Sequence, residues 1–518
     1  MKRPAFDFPL IKLDRICIAE KSVFVDQIQA ILGSVNQVTG RRNRPSIDTE
    51  DKRRDGANLL IQGLYQCHRS KNPQAALVVP ASPRAFKHGD SGRIEIIGHK
   101  ISESLVKTMD HLGWINITKG FRDGENNVPT VIRPAGDLLA EFETVGYVWQ
   151  KLTPPPTNML VRMKNYDPAT RESFHIPPPE NDKVRLMRSQ LRKINQFLGS
   201  HAIALMVKDS TLEDLGRQIG RWRGGHDRKP PTYVDFQSVY LRRIFARSSL
   251  EYGGRAYGGW WQSVPKEMRV HITINGQATC EIDFSALHPS LIHHREGYEL
   301  PSNDIYTLDL PAIPGIPDEE LRLKRRVIVK EFVNAMLNDE RNEFKLSKEG
   351  KELLGMTNAK LRKLLEKNIP VVAKHFGSGI GLKLQKIDSD IAAVVMRILM
   401  EKNIVCLPVH DSFIVPIFHR HDLKQAMIDA YINVMGRAIN FKEISLFDND
   451  ASGKRKVPPE FALLFDPTGK VDAIASMKAI HDLWHNQYLS SYLSQQSGKS
   501  SGTAQQKSKG RTSSMTIK

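Results

Sequence analysis

Thr279-Cys-Glu-Ile-Asp-Phe-Ser-Ala-Leu-His-Pro-Ser-Leu-Ile292 is the stretch on which the fold turns. Residues Ala278 to Ile282 read as a short strand that delivers Asp283 at its end, and an abrupt turn then leads into a helix beginning near Leu287. A carboxylate at a strand terminus is both rigid and exposed, as coordination of a cation requires. An Asp in that place more often caps a helix, so a metal role for Asp283 needs a partner elsewhere in the chain.

A partner stands in Lys402-Asn-Ile-Val-Cys-Leu-Pro-Val-His-Asp-Ser-Phe-Ile-Val-Pro-Ile-Phe418. Two apolar runs, Ile404 to Val409 and Phe413 to Ile417, flank His410-Asp411-Ser412, a pattern that predicts a hairpin with Asp411 at its tip. If the two strands are neighbours in one sheet, Asp283 and Asp411 converge on a shared cation pair. Between them lies a helix, Glu320 to Asn338, on which Arg322, Arg326, Lys330, Asn334 and Asn338 recur every fourth residue. Such a stripe winds slowly round the helix, and its like charges repel unless an anion lies along them. Val327, Val329, Phe332, Val333 and Met336 are the positions expected to pack, leaving the stripe to face a cleft or solvent.

These three segments resemble the motifs of nucleic-acid polymerases. Asp283-Phe-Ser-Ala-Leu-His-Pro-Ser is similar to motif A, both the D-F-x-S-L-Y-P-S of family B DNA polymerases and the D-Y-S of family A. Lys330-x-x-x-Asn334-Ala335 is similar to the family B K-x-x-x-N-S, and Arg326-x-x-x-Lys330 to the R-x-x-x-K of the family A fingers helix. Val409-His-Asp-Ser-Phe413 resembles motif C, V-H-D-E in family A and H-D-S-F in single-subunit phage-type RNA polymerases. Gln385-x-x-x-x-Asp390-Ile391 is similar to the family A Q-G-T-x-A-D-I helix, and Gly254-Arg255-x-Tyr257 to the phage-type G-R-x-Y. The resemblance spans residues 250 to 420, with the motifs in family order.

It implies an α+β right-hand polymerase, with an antiparallel palm sheet and helical fingers. Asp283 and Asp411 would hold two Mg2+ ions, Arg326 and Lys330 would meet the triphosphate, and Lys330 would protonate departing pyrophosphate. Asn334 would lie beside the sugar or base, with His288 and Asn338 also at the nucleotide, and Arg255, Tyr257, Gln385 and His410 would touch nucleic acid. Three departures stand out. Ser412 replaces the second acid of family A, Asn338 replaces the Tyr eight residues after the fingers Lys, and His288 occupies the place of the Glu or Tyr that crowds a ribose 2′ oxygen in DNA polymerases. A bulky His points to deoxynucleotides, although His can also hydrogen-bond that oxygen.

Upstream, Ser102 is positioned to cap a helix running to Leu112, with Gly113 just past its end. A strand at 114–118, the polar turn Phe121 to Pro129 and a second strand at Thr130 to Pro134 follow. Helix then two-stranded hairpin resembles a winged-helix domain, which implies DNA contacts from Ser102, Ser104 and Lys107 on the helix and Arg122 in the wing. The expected organisation is a helical region at 1–75, with a solvated basic loop at 39–56, and a winged-helix-like domain at 76–145. A Pro-rich linker at 146–182 leads to a basic thumb-like region at 183–235, with a Gly/Arg loop, and a palm and fingers core at 236–470. A helix at 471–495 and a disordered basic tail at 496–518 end the chain.

Lys and Arg outnumber Asp and Glu by 75 to 57, a net charge of +18 that suits a polyanionic partner such as a DNA template-primer, or RNA. Cys17, Cys67, Cys280 and Cys406 form no C-x-x-C or Cys/His cluster, which argues against structural zinc and disulfides and for a reducing cytoplasm. No apolar run suggests a signal peptide or a membrane span. No D-x-E exonuclease-like segment precedes Asp283, so proofreading is not expected. Other readings are an RNA polymerase or primase-like enzyme on the same site, a DNA-binding initiator or defence protein with an inactive palm, and an HD-type phosphohydrolase drawing on His481 and His485. The sequence does not set the oligomeric state.

Overall fold

In the computed structural model, residues 10–12, 21–70, 74–79, 97–123, 126–146, 153, 155–167, 172–206, 234, 236, 238–301, 304–340, 344–437, 439 and 441–444 are described. Their buried apolar side chains gather into two separate cores.

The first core lies under a four-stranded sheet of β1 (Leu10–Lys12), β2 (Ala76–Val79), β3 (Ile115–Thr118) and β6 (Thr130–Pro134), in the order β1-β2-β6-β3. The short strands β4 (Phe121–Asp123) and β5 (Asn126–Val128) pair with each other as a ribbon between β3 and β6. Helices α1 (Val25–Val38), α2 (Ile47–Arg69), α3 (His99–His111) and α4 (Gly136–Val145) complete the module. Phe24, Tyr65 and Phe142 meet at its centre with ring centroids 4.9 to 5.4 Å apart.

Several expectations change here. The basic stretch at 39–56 is not all loop, because Ser46 accepts a hydrogen bond from the Thr49 amide and starts α2 at Ile47. Gly56 lies within that helix, and a side chain there would collide with Leu105 of α3 at 2.6 Å. Residues 1–75 also contribute a strand, since β1 pairs in parallel with β2. Ser102 caps nothing: α3 begins three residues earlier, after Gly98 at φ 75°, and Ser102 is buried on its inner face. The polar turn of 121–129 is instead the β4–β5 ribbon.

The second core holds two sheets. One is ordered β11-β10-β7-β8, from β7 (Val161–Asp167), β8 (Glu172–Ile176), β10 (Arg242–Phe245) and β11 (Gly253–Tyr257). The other has six strands: β9 (Ile203–Leu205), β12 (Ile272–Ile274), β13 (Gln277–Phe284), β14 (Leu407–Val409), β15 (Ser412–Pro416) and β16 (Phe441–Ile444). They run β14-β15-β13-β12-β9, with β16 also paired to β13, and every pairing in this sheet is antiparallel. Around them lie α5 (Asp182–Leu198), α6 (Leu287–Arg295), α7 (Asp318–Asn338), α8 (Lys348–Leu354), α9 (Asn358–Asn368), α10 (Gly381–Glu401) and α11 (Arg420–Met435). The long helix α10 packs against β11, α5, α6, α7 and α11. The architecture is α+β with predominantly antiparallel sheets.

The expected linker at 146–182 contains the β7–β8 hairpin. Its proline clusters bracket the stretch Met159 to Met163, of which Leu160, Val161 and Met163 are buried in the second core. Helix α5, expected in a separate thumb, buries Val184, Met187, Leu191, Ile194 and Leu198 in the same core. Val327 is 53% exposed, because the packed face of α7 runs through Leu321, Val329, Phe332, Val333 and Met336. The Gly/Arg loop, the helix proposed at 471–495 with His481 and His485, and the basic tail lie outside the described residues. No helix among the described residues is long and apolar enough to cross a membrane.

Candidate active site

Strand β13 lies between β15 on one side and β12 and β16 on the other, so Asp283, its penultimate residue, is placed by the sheet rather than by a loop. Across the ladder Asp283 pairs in register with Ser412. The preceding residue, Asp411, sits in the two-residue turn between β14 and β15, where His410 adopts φ 62°. That left-handed conformation is uncommon for a side chain of this size and marks a tightly determined turn. Beyond Asp283 the chain reverses through Ala286, also left-handed at φ 47°, into α6.

The turn is anchored from both sides. The Trp261 indole N–H and the Gln262 amide each donate to the Pro408 carbonyl at 3.0 Å. Ser412 donates to Glu281 at 2.5 Å, and Glu281 accepts two hydrogen bonds from Arg269, each 2.9 Å. Ser412 is thus tied to a buried carboxylate two residues before Asp283.

Burial, followed by the charge of Asp411, pushes the Asp283 carboxyl up to about 7, while Lys330 and Lys266 pull the other way. Asp283 Oδ1 is interior and has no hydrogen-bond partner among the described residues. An unpaired carboxylate oxygen beside a second carboxylate is an environment that a divalent cation relieves, so this donor set fits hard metal ions. No group of three or more His, Cys, Asp or Glu side chains suited to a metal occurs among the described residues.

The basic stripe divides. Arg322 turns outward to Glu319 at 2.7 Å. Arg326 pairs with Asp304 and lies 5.5 Å over the ring of Tyr306, which is buried. Burial raises the Tyr306 phenol, and the charges of Asp304, Asp411 and Asp283 add to that effect while Arg326 opposes it. Lys330 is exposed, with its charge felt at Asp283. Asn334 is partly exposed and its carbonyl accepts from the Asn338 amide at 2.7 Å. Asn338 rests so close to Gly381 that a β-carbon there would stand 1.9 Å from its side-chain oxygen. This contact joins the end of α7 to the start of α10.

A second polar cluster adjoins the first. Asp388, on α10, accepts from Arg255 Nε at 3.1 Å and Nη2 at 2.5 Å, and His288 Nε2 lies 3.0 Å from the same carboxylate. Tyr257 meets His410 edge-on with centroids 5.7 Å apart. Burial and then the Arg255 charge hold the His410 imidazole below its ordinary value, and burial raises the Tyr257 phenol. Gln385 is half-buried one turn before Asp388.

The structure therefore gathers Asp283, Asp411, Lys330, His288, Arg255, Tyr257 and His410 round one locus, with Arg326 alongside. Sequence reading missed Asp388, Tyr306, Asp304 and Glu281. In Asp388-Ser-Asp390 attention went to the second acid, which pairs instead with Arg243 at 2.8 Å and with Lys386. The i, i+2 acids were the available signal. In the first module, Ser102 is buried and closed to any groove contact, Ser104 donates to the Ile101 carbonyl at 2.7 Å, and Lys107 pairs with Glu103 at 3.0 Å. Arg122 lies on β4 in register with Asn127.

No protein-family model matches the chain, and no curated protein does. Among solved structures it is similar to the POL domain of Pol1 from M. smegmatis in complex with DNA primer-template and dNTP. The identity is 12% and the TM-score 0.27, over 45% of this chain and 50% of that one. The chain thus matches about half the length of that structure. A likeness at this level fixes neither fold nor activity, and the functional reading rests on the site's own geometry.

Proposed function

We propose that the chain is a template-directed nucleotidyltransferase, a DNA polymerase of the right-hand type resembling family A. The supporting observation is the pairing of Asp283 with Ser412 across two central strands, which sets Asp411 beside Asp283 with the positive charge of Lys330 in reach. In this reading the six-stranded sheet is the palm and α7 belongs to the fingers.

The two carboxylates would hold two magnesium ions, whose chemistry when bound is to activate the primer 3′ hydroxyl and to offset charge on the triphosphate. Arg326 binds the β and γ phosphates, exchanging its bond to Asp304 for phosphate oxygens. Lys330 holds the proton for the departing pyrophosphate. Asn334 borders the sugar or base, Arg255 and Tyr257 border the primer-template, and His288 meets the sugar. The first module, with α3, β3, the β4–β5 ribbon and β6 in succession, is read as a winged-helix-like element that holds duplex through the exposed Lys107 and the ribbon.

The test is primer extension with labelled dNTPs and NTPs on DNA and RNA templates, using wild type and Asp411→Ala. Extension with dNTPs that is lost in Asp411→Ala supports the reading. Extension unaffected by the substitution places catalysis elsewhere, and no extension by wild type favours a DNA-binding protein with an inactive site. Extension with NTPs alone favours the RNA polymerase or primase-like alternative.

A further inference from the structure

Asp388 is 2% exposed, and its side chain is wholly covered. A buried carboxylate is tolerated only when its charge and its lone pairs are answered, and Arg255 supplies the charge through a two-pronged contact. The remaining partner is His288, whose side chain keeps 13% of its surface open. The bond therefore fixes the imidazole through Nε2 while part of the ring stays accessible. Because the carboxylate only accepts, Nε2 is the donor, which sets the tautomer and the rotation of the ring together. Three elements meet here: β11 through Arg255, α6 through His288 and α10 through Asp388.

We propose that Asp388 is a positioning residue for sugar selection: it holds the His288 imidazole where that ring meets the 2′ position of the incoming nucleotide. The inference rests on the polymerase reading above and goes beyond it by naming what fixes the selecting side chain. Asp388 does not touch substrate. It acts by denying His288 the rotamers in which the 2′ position is open. Arg255 grips the same carboxylate through Nε and Nη2 and holds it in place to accept from the ring. A mere staple between helices would support deoxy- and ribonucleotide use alike, whereas a ring-holding residue changes their ratio.

The experiment measures kcat/KM for a dNTP and for the matching NTP, on one primer-template, in wild type, Asp388→Asn, His288→Ala and the double variant. The expected result is a dNTP-to-NTP ratio lowered about tenfold in Asp388→Asn, in line with loss of a hydrogen bond to a charged group. His288→Ala should then add little in the double variant, because the ring is already released. An unchanged ratio, equal losses on both sugars, or fully additive effects would overturn the proposal. If Asp388→Asn fails to fold, Asp388→Glu keeps the charge and the Arg255 pair while displacing the ring, and an unchanged ratio there is equally fatal. Wild type that extends with no preference between sugars defeats this inference and leaves the polymerase reading standing. Wild type that extends nothing defeats both.

Discussion

Asp283 lies opposite Ser412 on the β13–β15 ladder, next to the turn residue Asp411. Burial first, and then repulsion from an acid that backbone pairing holds close, keep Asp283 protonated more readily when folded than when unfolded. With the Asp283 value raised to about 7 from an ordinary value near 4, the sign follows directly. Below about pH 4 the carboxyl is protonated in both states and stability is unaffected. Between about pH 4 and pH 7 the unfolded chain is ionised while the folded carboxyl keeps its proton, so stability falls across that window and the loss is complete above about 7. Asp283→Asn should melt close to wild type near pH 4, and several degrees above it near pH 8. Magnesium added at the higher pH should raise the wild-type Tm and leave the Asn variant unmoved, with EDTA reversing the gain. Differential scanning fluorimetry across pH reads all three effects, and a higher Tm for wild type at pH 8 without metal contradicts the account.

The stripe on α7 should divide functionally as it divides structurally. Lys330→Ala removes a cation whose charge reaches Asp283, and Arg326→Ala one that pairs with Asp304 over Tyr306; in each, extension should fall about 10²–10³-fold in kcat/KM for dNTP, the range typical of lost transition-state charge stabilisation. Arg322 is engaged with Glu319 at the helix surface, so Arg322→Ala should stay within about twofold of wild type, because exposed ion pairs contribute little. Equal losses at all three positions would mean that the helix binds its anion along its whole length. Steady-state kinetics on one primer-template distinguishes the two patterns.

Behind the acids, the Arg269–Glu281–Ser412 chain is a stability device. Ser412→Ala removes one donor and leaves Glu281 with its guanidinium, which should cost about 1–2 kcal/mol. Arg269→Ala leaves a carboxylate that is 8% exposed without its counter-charge, and should cost about 3–5 kcal/mol. Urea unfolding of the second core gives both values, and a larger loss for the Ser variant would reverse the assignment.

What was legible in the sequence was whatever period and turn chemistry decide locally. The strand into Asp283, the start of α6 at Leu287, the hairpin round His410-Asp411 and the span of α7 stand where apolar spacing put them. The β7–β8 hairpin did not, because the prolines on either side of Met159 to Met163 conceal a run too short to signal a strand until β10 pairs with it. Helix α2 was hidden by its charge: it is polar along most of its first half, and the Ser46 cap was the cue that outweighed composition. Arg255 and His288 each carried a local signal. Asp388, which joins them from 133 and 100 residues away, carried only its place as one of two acids at i and i+2, since nothing in a helix period tells which of the two faces its neighbours.

The last expectation concerns the first module, whose core shares no buried residue with the second. Phe142 is fully buried against Phe24 and Tyr65, and Phe142→Ala should cost about 3–5 kcal/mol through lost burial and the cavity left behind. That loss falls on the first core. Calorimetry should show one transition displaced to lower temperature and a second held in place. If Lys107 and the β4–β5 ribbon hold duplex through phosphate contacts, the same variant should bind primer-template more weakly, with a shallower dependence on salt. Its kcat at saturating primer-template should remain within about twofold of wild type, because Asp283, Asp411 and Lys330 all belong to elements of the second core. A kcat that falls together with the melting temperature would instead tie the first module to the chemistry itself.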